Sequence, residues 1–222
     1  MLDELKKESI FVGLDYFDKI FFINLDHRED RKDYLLNQLS RLNVKEDKIV
    51  RISATFDPLN GHRGCAMSHI KALDLATEKN LNNVLILEDD CMFLQNRANL
   101  DKLIKYFFDT VDDWDVFFLD FCTNGAQDTK HKKIKKVLKS IRTHAYAVNK
   151  HYIPTLKKCF TEAHSLLQNE LFFSQTLSLA IDRYWHRLQR KDKWYMLDAA
   201  ITKQATSYSD IDYMEKISKY YK

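Results

Sequence analysis

The strongest constraint on the fold is a repeated alternation of short apolar runs with longer amphipathic stretches. Residues 20–25 form an apolar run of strand length, and residues 28–42 follow with Tyr34, Leu35, Leu39 and Leu42 near helical spacing. Residues 49–53 are a second strand candidate, and residues 65–79 place Met67, Ile70, Leu73 and Ala76 on one helical face. Residues 84–87 are apolar throughout, as in a strand covered on both faces. Residues 100–108 then read as helix, and residues 116–119, introduced by Trp114 and Asp115, as another buried strand. Strand alternating with helix over the first 120 residues predicts an α/β fold: a mainly parallel central sheet with crossover helices.

Further along, the polar stretch 124–133, which contains Gly125, is expected to be a long loop. Residues 134–148 carry two signals. Ile134, Val137, Leu138 and Ile141 fit a helix, whereas residues 143–148 fit a strand, with strand expected after about Ile141. Residues 154–167 and 171–188 are helical by composition, and the tail from Trp194 mixes short strand and helix signals.

Composition removes several classes. There are no internal repeats, which sets aside solenoids and propellers, and only 4 Gly and 2 Pro in 222 residues, which excludes collagen-like and Pro-rich disordered chains. An apolar fraction of 45% supports one substantial core, so a single domain over residues 1–222 is expected. The net charge of +3 falls short of a dedicated nucleic-acid binder, and no nucleic-acid partner is expected. The four cysteines, Cys65, Cys91, Cys122 and Cys159, are scattered without a C-x-x-C pair and read as thiols of a reducing compartment. The amino terminus lacks the apolar core of an export signal, and no membrane span is visible. The expected location is cytoplasmic, with peripheral attachment to a membrane surface as the variant.

Three stretches could carry chemistry. In the first, Val84-Leu-Ile-Leu runs straight into Glu88-Asp89-Asp90. Ligands of α/β sheets bind beyond the carboxyl ends of strands, and crowded carboxylates repel unless a divalent cation joins them; the plainer alternative is a turn or helix cap. In the second, Gly61-His-Arg63-Gly64-Cys-Ala-Met-Ser68-His69, two of the four glycines precede a helix whose amino terminus can receive an anion such as diphosphate. An ordinary turn and cap is the alternative, and zinc on His62, Cys65 and His69 is a third. In the third, Asn24-Leu25-Asp-His-Arg28-Glu-Asp-Arg31, two arginines three residues apart suit phosphate or carboxylate, against the alternative of a solvated helix face. The segment from Lys130 to Arg142 carries seven Lys or Arg residues; it reads as a solvated face that could also attract an anionic donor or a phosphorylated acceptor.

Taken in order, these motifs resemble glycosyltransferase family 25, the lipooligosaccharide and collagen galactosyltransferase type. The carriers are residues 21–31, the G-x-x-G-C-x-x-S-H pattern of residues 61–69, the strand into Glu-Asp-Asp at 84–90, Trp114-Asp115, Thr143-His-Ala-Tyr-Ala-Val148, Ile181-Asp182, and the run from Gln204 to Ile211. The resemblance spans residues 19–211 and implies a single Rossmann-like domain of the GT-A type with helices on both faces. It implies a UDP-sugar donor, a Mn²⁺ or Mg²⁺ ion, and a glycan, lipooligosaccharide or protein acceptor. By the same resemblance Glu88, Asp89 and Asp90 take the place of the acidic D-x-D-type motif. Asp90 and Glu88 are expected at the metal, with Asp210 as a late ligand, and Glu88 and Asp89 near the ribose or sugar. Asn24, Leu25, Arg28 and Arg31 form the nucleotide edge, Arg63, Ser68 and His69 neighbour the donor, and Gln204 completes the diphosphate shell. The expected reaction is inverting transfer of a hexose, galactose or glucose, with Asp182 as base and Asp120 as the alternative. Two other readings compete: a non-catalytic nucleotide-sugar binding module, and a metal-dependent phosphodiester hydrolase.

Overall fold

Strand β1 (Lys19–Asn24) lies between β2 (Ile49–Ser53) and β3 (Asn83–Glu88), parallel to both, with Asn24 opposite Ser53 and Ile23 opposite Glu88. The three strands therefore end together, and their last residues share one edge of the sheet. These contacts belong to a computed structural model that describes residues 13–120, 125–168 and 177–205. After β4 (Cys91–Phe93) come β5 (Val116–Phe118), β6 (Ala126–Asp128), β7 (Ile134–Val137), β8 (Ala145–Asn149), β9 (Trp194–Leu197) and β10 (Thr202–Gln204). Eight strands form one sheet in the order β2-β1-β3-β8-β5-β9-β7-β6, and β4 pairs with β10 in a separate ribbon. In the large sheet only β8 and β7 run against the other strands. The sheet is thus mostly parallel, as the sequence pattern implies.

Successive strand residues point to opposite faces, and the core divides accordingly. Phe21, Ile23, Val84 and Ile86 pack with Ala66, Ile70 and Leu73 of α2 (Gly61–Glu78) and Leu156, Phe160 and Ala163 of α4 (Ile153–Gln168). Ile20, Phe22, Leu85 and Leu87 pack on the other face with Leu35 and Leu39 of α1 (Glu29–Arg41) and Leu100, Ile104 and Phe107 of α3 (Arg97–Thr110). Helices cover both faces, and this explains why β3 lacks polar alternation. Each large apolar side chain buried this way contributes about 1.5–3 kcal/mol.

The structure departs from the sequence expectation in four places. The stretch expected to be a loop contains β6, which pairs with β7 as Ala126 faces Val137. Residues 134–137 are strand, not helix: Ile134 is buried with α1 and α3 and Val137 with α2 and α4. A spacing of three puts side chains on one face of a helix but on opposite faces of a strand, and a sheet covered on both sides buries both. The stretch expected to be helix at 171–188 is described from residue 177, where it is helical but interrupted: residues 177–179 are followed, across breaks at Ala180 and Trp185, by the single-turn helices Ile181–Tyr184 and His186–Gln189. Finally, α2 begins at Gly61, because the Asn60 side chain caps it by accepting from the Arg63 N–H at 3.1 Å. Both glycines of that motif therefore lie inside the helix. A Cβ on Gly64 would stand 2.6 Å from the Thr55 carbonyl oxygen, so glycine here admits the chain's own β2–α2 connection, where the sequence had suggested a phosphate.

Candidate active site

Strand β3 carries Glu88 to the carboxyl edge of the sheet, and Asp89 and Asp90 form the turn into β4. The three carboxylates diverge. Glu88 Oε1 meets His69 Nε2 at 3.1 Å and accepts a hydrogen bond from Thr143 Oγ1, while its N–H bonds the His144 carbonyl at 2.9 Å. Burial pushes its pKa up, but the hydrogen bond and charge of His69, with Thr143, outweigh that and hold the carboxyl below its usual range. Asp89 accepts from Asn24 Nδ2 at 2.8 Å and from Arg31 Nη1 at 3.1 Å; burial still leaves its pKa raised.

Asp90 is only 8% exposed and accepts from Gln204 Nε2 at 3.0 Å, with Arg31 Nη1 at 3.9 Å. Its Oδ1 is buried with no hydrogen-bond partner among the described residues. Burial first, then the charge of Glu88, raises its pKa to about 7. A buried carboxylate oxygen without a donor, beside further carboxylates, is a hard oxygen ligand of the kind Mg²⁺ and Mn²⁺ take, so the residues present fit a divalent cation. The ribbon brings Gln204 here: it faces Cys91 across the β4–β10 pair, and the Ala205 N–H bonds the Asp90 carbonyl at 2.8 Å.

Residues 138–144 leave β7 at the opposite end of the sheet and reach the carboxyl edge where β8 begins. Ser140 anchors them: its carbonyl accepts from Trp185 Nε1 at 2.9 Å and Gln189 Nε2 at 3.0 Å, and its N–H donates to Gln189 Oε1 at 2.7 Å. Beyond the anchor, the Arg142 N–H donates to Asp182 Oδ2 at 3.0 Å, and Arg142 Nη1 stands 3.6 Å from Asp120 Oδ2. Thr143 reaches Glu88, and His144 is fully buried with Nε2 3.3 Å from Thr202 Oγ1; its Nδ1 has no partner among the described residues. Burial pulls the His144 pKa down, against the charges of Asp120 and Glu88, and favours the neutral ring. Cys65 lies beside Thr143, with its sulfur within 4.8 Å of His69 and Glu88. After burial, the charges of Glu88, Asp182 and Asp90 raise its pKa, which places the thiol among these acids.

The structure thus gathers Glu88, Asp90, Asp120, Asp182, His69 and Gln204 around one end of the sheet. Other candidates are committed within the fold. Asn24 is 1% exposed; its amide donates to Asp89 and to the Arg28 carbonyl, and its oxygen accepts from Arg51 at 2.9 Å. The Leu25 carbonyl closes a turn with the Arg28 N–H, and Arg28 reaches Asp30 through two hydrogen bonds of 3.0 and 2.9 Å. Ser68 Oγ accepts from the Thr55 N–H at 2.8 Å and donates to the Gly64 carbonyl at 2.7 Å, tying the β2–α2 connection to the helix. Arg63 pairs with Asp57, and its charge reaches His164 of α4, away from the acids. Asp210 lies outside the described residues. The zinc grouping suggested by sequence also changes: among the described residues, the ligand atoms that converge within 4.8 Å belong to Cys65, His69 and Glu88, without His62. Sequence reasoning assigned no role to Arg142, Thr143, His144 or Gln189. The first had only the basic run as a signal, and Thr143 and His144 stood in a motif with no chemistry attached.

A mostly parallel sheet covered on both faces, with carboxylates beyond the end of a central strand, defines a GT-A-like α/β domain. The fold is shared at a TM-score of 0.51 with a glycosyltransferase involved in the glycosylation of the major capsid of PBCV-1, 12% identical, over 90% of this chain and 98% of that one. The family model for glycosyltransferase family 25 (LPS biosynthesis protein) matches residues 47–172, more than half of the sequence, and the chain belongs to that family. A procollagen galactosyltransferase 1-B of Xenopus laevis is 29% identical over 128 residues, which is 46% of this chain and 21% of that protein. A putative glycosyltransferase of Haemophilus influenzae is 38% identical over 77 residues, 35% of this chain and 25% of that protein. The chain therefore spans about a fifth to a quarter of the length of these relatives. No helix among the described residues is long and apolar enough to cross a membrane.

Proposed function

We propose that the protein transfers a hexose, galactose or glucose, from a UDP-sugar to a hydroxyl of a glycan, lipooligosaccharide or protein acceptor, with inversion at the anomeric carbon. The observation that carries this reading is Asp90: in a chain of this family, a buried carboxylate at the end of β3 leaves one oxygen without a donor. Asp90 and Glu88 would hold a divalent cation, which when bound supplies charge neutralisation for the donor diphosphate. Glu88 is kept ionised for that role by His69 and Thr143. The galactosyl choice is supported by the names of relatives such as the Xenopus protein.

Asp182 is the proposed base. Its Oδ2 is fixed by the Arg142 N–H, which orients the carboxylate, and its charge reaches Cys65 together with those of Glu88 and Asp90. It takes the proton of the acceptor hydroxyl as that oxygen attacks the anomeric carbon and the bond to the diphosphate breaks. Asp120, buried and beside Arg142, is the second candidate. The test is UDP release from a panel of UDP-sugars with Mn²⁺, with and without acceptors. Asp182→Ala should lower kcat about 10²- to 10⁴-fold, the usual contribution of a general base, and Asp90→Ala should abolish metal-dependent turnover. Full activity in both variants refutes the assignment.

A further inference from the structure

Three residues of the described chain other than glycine have positive φ: Asn43 at 52°, Asn80 at 53° and Arg142 at 77°. The two asparagines lie just past the ends of α1 and α2, where a left-handed residue closes a helix and asparagine tolerates it. Arg142 follows no helix, and its long side chain has no such tolerance. Its backbone is held there from both sides, by its own N–H on Asp182 and by Thr143 on Glu88. Strain of this kind persists where the surroundings impose it, and clusters at functional sites.

The side chain gives the strain a purpose. Arg31, a cation among these acids, is spent on Asp89 and Asp90 and is 13% exposed. Arg142 is 52% exposed, and its nearest carboxylate oxygen, Asp120 Oδ2, lies at 3.6 Å, beyond a hydrogen bond. Its guanidinium therefore sits at the mouth of the acid-lined edge, attracted by Asp120 without being held by it. A diphosphate approaching Glu88, Asp90, Asp120 and Asp182 meets mainly negative charge, and a fork of N–H donors at the rim is the protein group suited to receive it.

We infer that Arg142 is a further catalytic residue: its guanidinium leaves Asp120 to bind the diphosphate of the donor and then of the departing nucleoside diphosphate. This rests on the transferase reading for its role in turnover, while anion binding at Arg142 can be tested without it. Inorganic pyrophosphate is titrated calorimetrically, with Mn²⁺ present, into the whole protein and into Arg142→Ala, Arg142→Lys and Arg142→Gly. One to two charge-assisted hydrogen bonds correspond to roughly 10- to 100-fold in affinity, so the Ala and Gly variants should bind that much more weakly and Lys should recover part of the loss. Arg142→Gly also relieves the left-handed backbone, so its thermal midpoint should equal or exceed that of the starting protein while its pyrophosphate affinity falls. A residue that merely braced Asp120 would instead lower the midpoint and leave pyrophosphate binding alone. Undetectable pyrophosphate binding by the unsubstituted protein, or equal binding by it and Arg142→Gly, overturns the inference. Pyrophosphate binding that depends on Arg142, in a protein that releases no nucleoside diphosphate from any nucleotide-sugar, upholds the anion site and overturns the transferase reading.

Discussion

Three consecutive acids at the end of β3 have three different fates, because each finds different partners. Glu88 is drawn to His69 and Thr143, Asp89 to Asn24 and Arg31, and Asp90 to Gln204. Asp89 thereby ties the start of α1 and the end of β1 to the turn, a structural duty where the family resemblance had placed it near the ribose or sugar. Asp90 has a measurable signature. Its pKa rises from its ordinary 3.8 to about 7 in the folded state, so the native protein holds a proton that the unfolded chain releases. That contribution to stability is complete below pH 4 and is lost as pH rises toward 7. In metal-free buffer, Asp90→Asn should therefore gain thermal stability relative to the unsubstituted protein between pH 4 and 7, and the gap should stay level above 7. At about 1.4 kcal/mol per pH unit the gain is at most roughly 4 kcal/mol. A difference that does not vary with pH in thermal melts would refute a buried carboxylate whose Oδ1 lacks a donor.

At the scale of elements, the β2–α2 connection and the 138–144 segment are each tied to the helices on one face of the sheet. The first is pressed against α2, where the Thr55 carbonyl approaches Gly64 and Ser68 bonds both chains. Gly64→Ala should cost about 1–3 kcal/mol in urea denaturation, as an added methyl forces this contact apart, and an unchanged midpoint would show that the contact is slack. The expectation that Gly64 serves a phosphate came from seeing glycine near a helix start. Which backbone approaches it is set by a neighbour nine residues away in sequence, and periodicity does not reveal that. In the first 120 residues β1, β2, β3, β5 and the three helices were legible from their apolar pattern, whereas β4, three residues long, was not. Strand β6 was not, since Ala126, Gln127 and Asp128 lie at the sheet edge with one neighbour and little burial to impose a pattern.

For the whole molecule, the decisive property is convergence. Asp120 lies just past a central strand, Asp182 sits in the first turn of a short helix, Gln204 ends the small ribbon, and Arg142 precedes β8, yet all reach one edge of one sheet. A cation binding there favours the folded state alone. Mn²⁺ at about 100 times its dissociation constant should add about 2.7 kcal/mol to stability, read as a raised thermal midpoint at neutral pH. Asp90→Asn should abolish the rise, and a rise of equal size in the variant would place the ion elsewhere. The same convergence explains why the candidate list drawn from sequence was uneven. Residues close to the edge in sequence, such as Arg28 and Arg63, turn to local partners Asp30 and Asp57.

By itself, the sequence determined the α/β class, the strand that delivers the acids, and the ordered motifs that carry the family resemblance. Each of these is written in local pattern, as apolar periodicity or as residues adjacent in the chain. Only the tertiary structure decided what each acid does. The Asn24 amide on Asp89 comes from 65 residues away, Arg31 from 58, and the Gln204 amide on Asp90 from 114. Ionisation and hydrogen bonding depend on distances in space of a few ångströms, and those are fixed by how the two faces of the sheet pack, long after local pattern has settled which segments are strands.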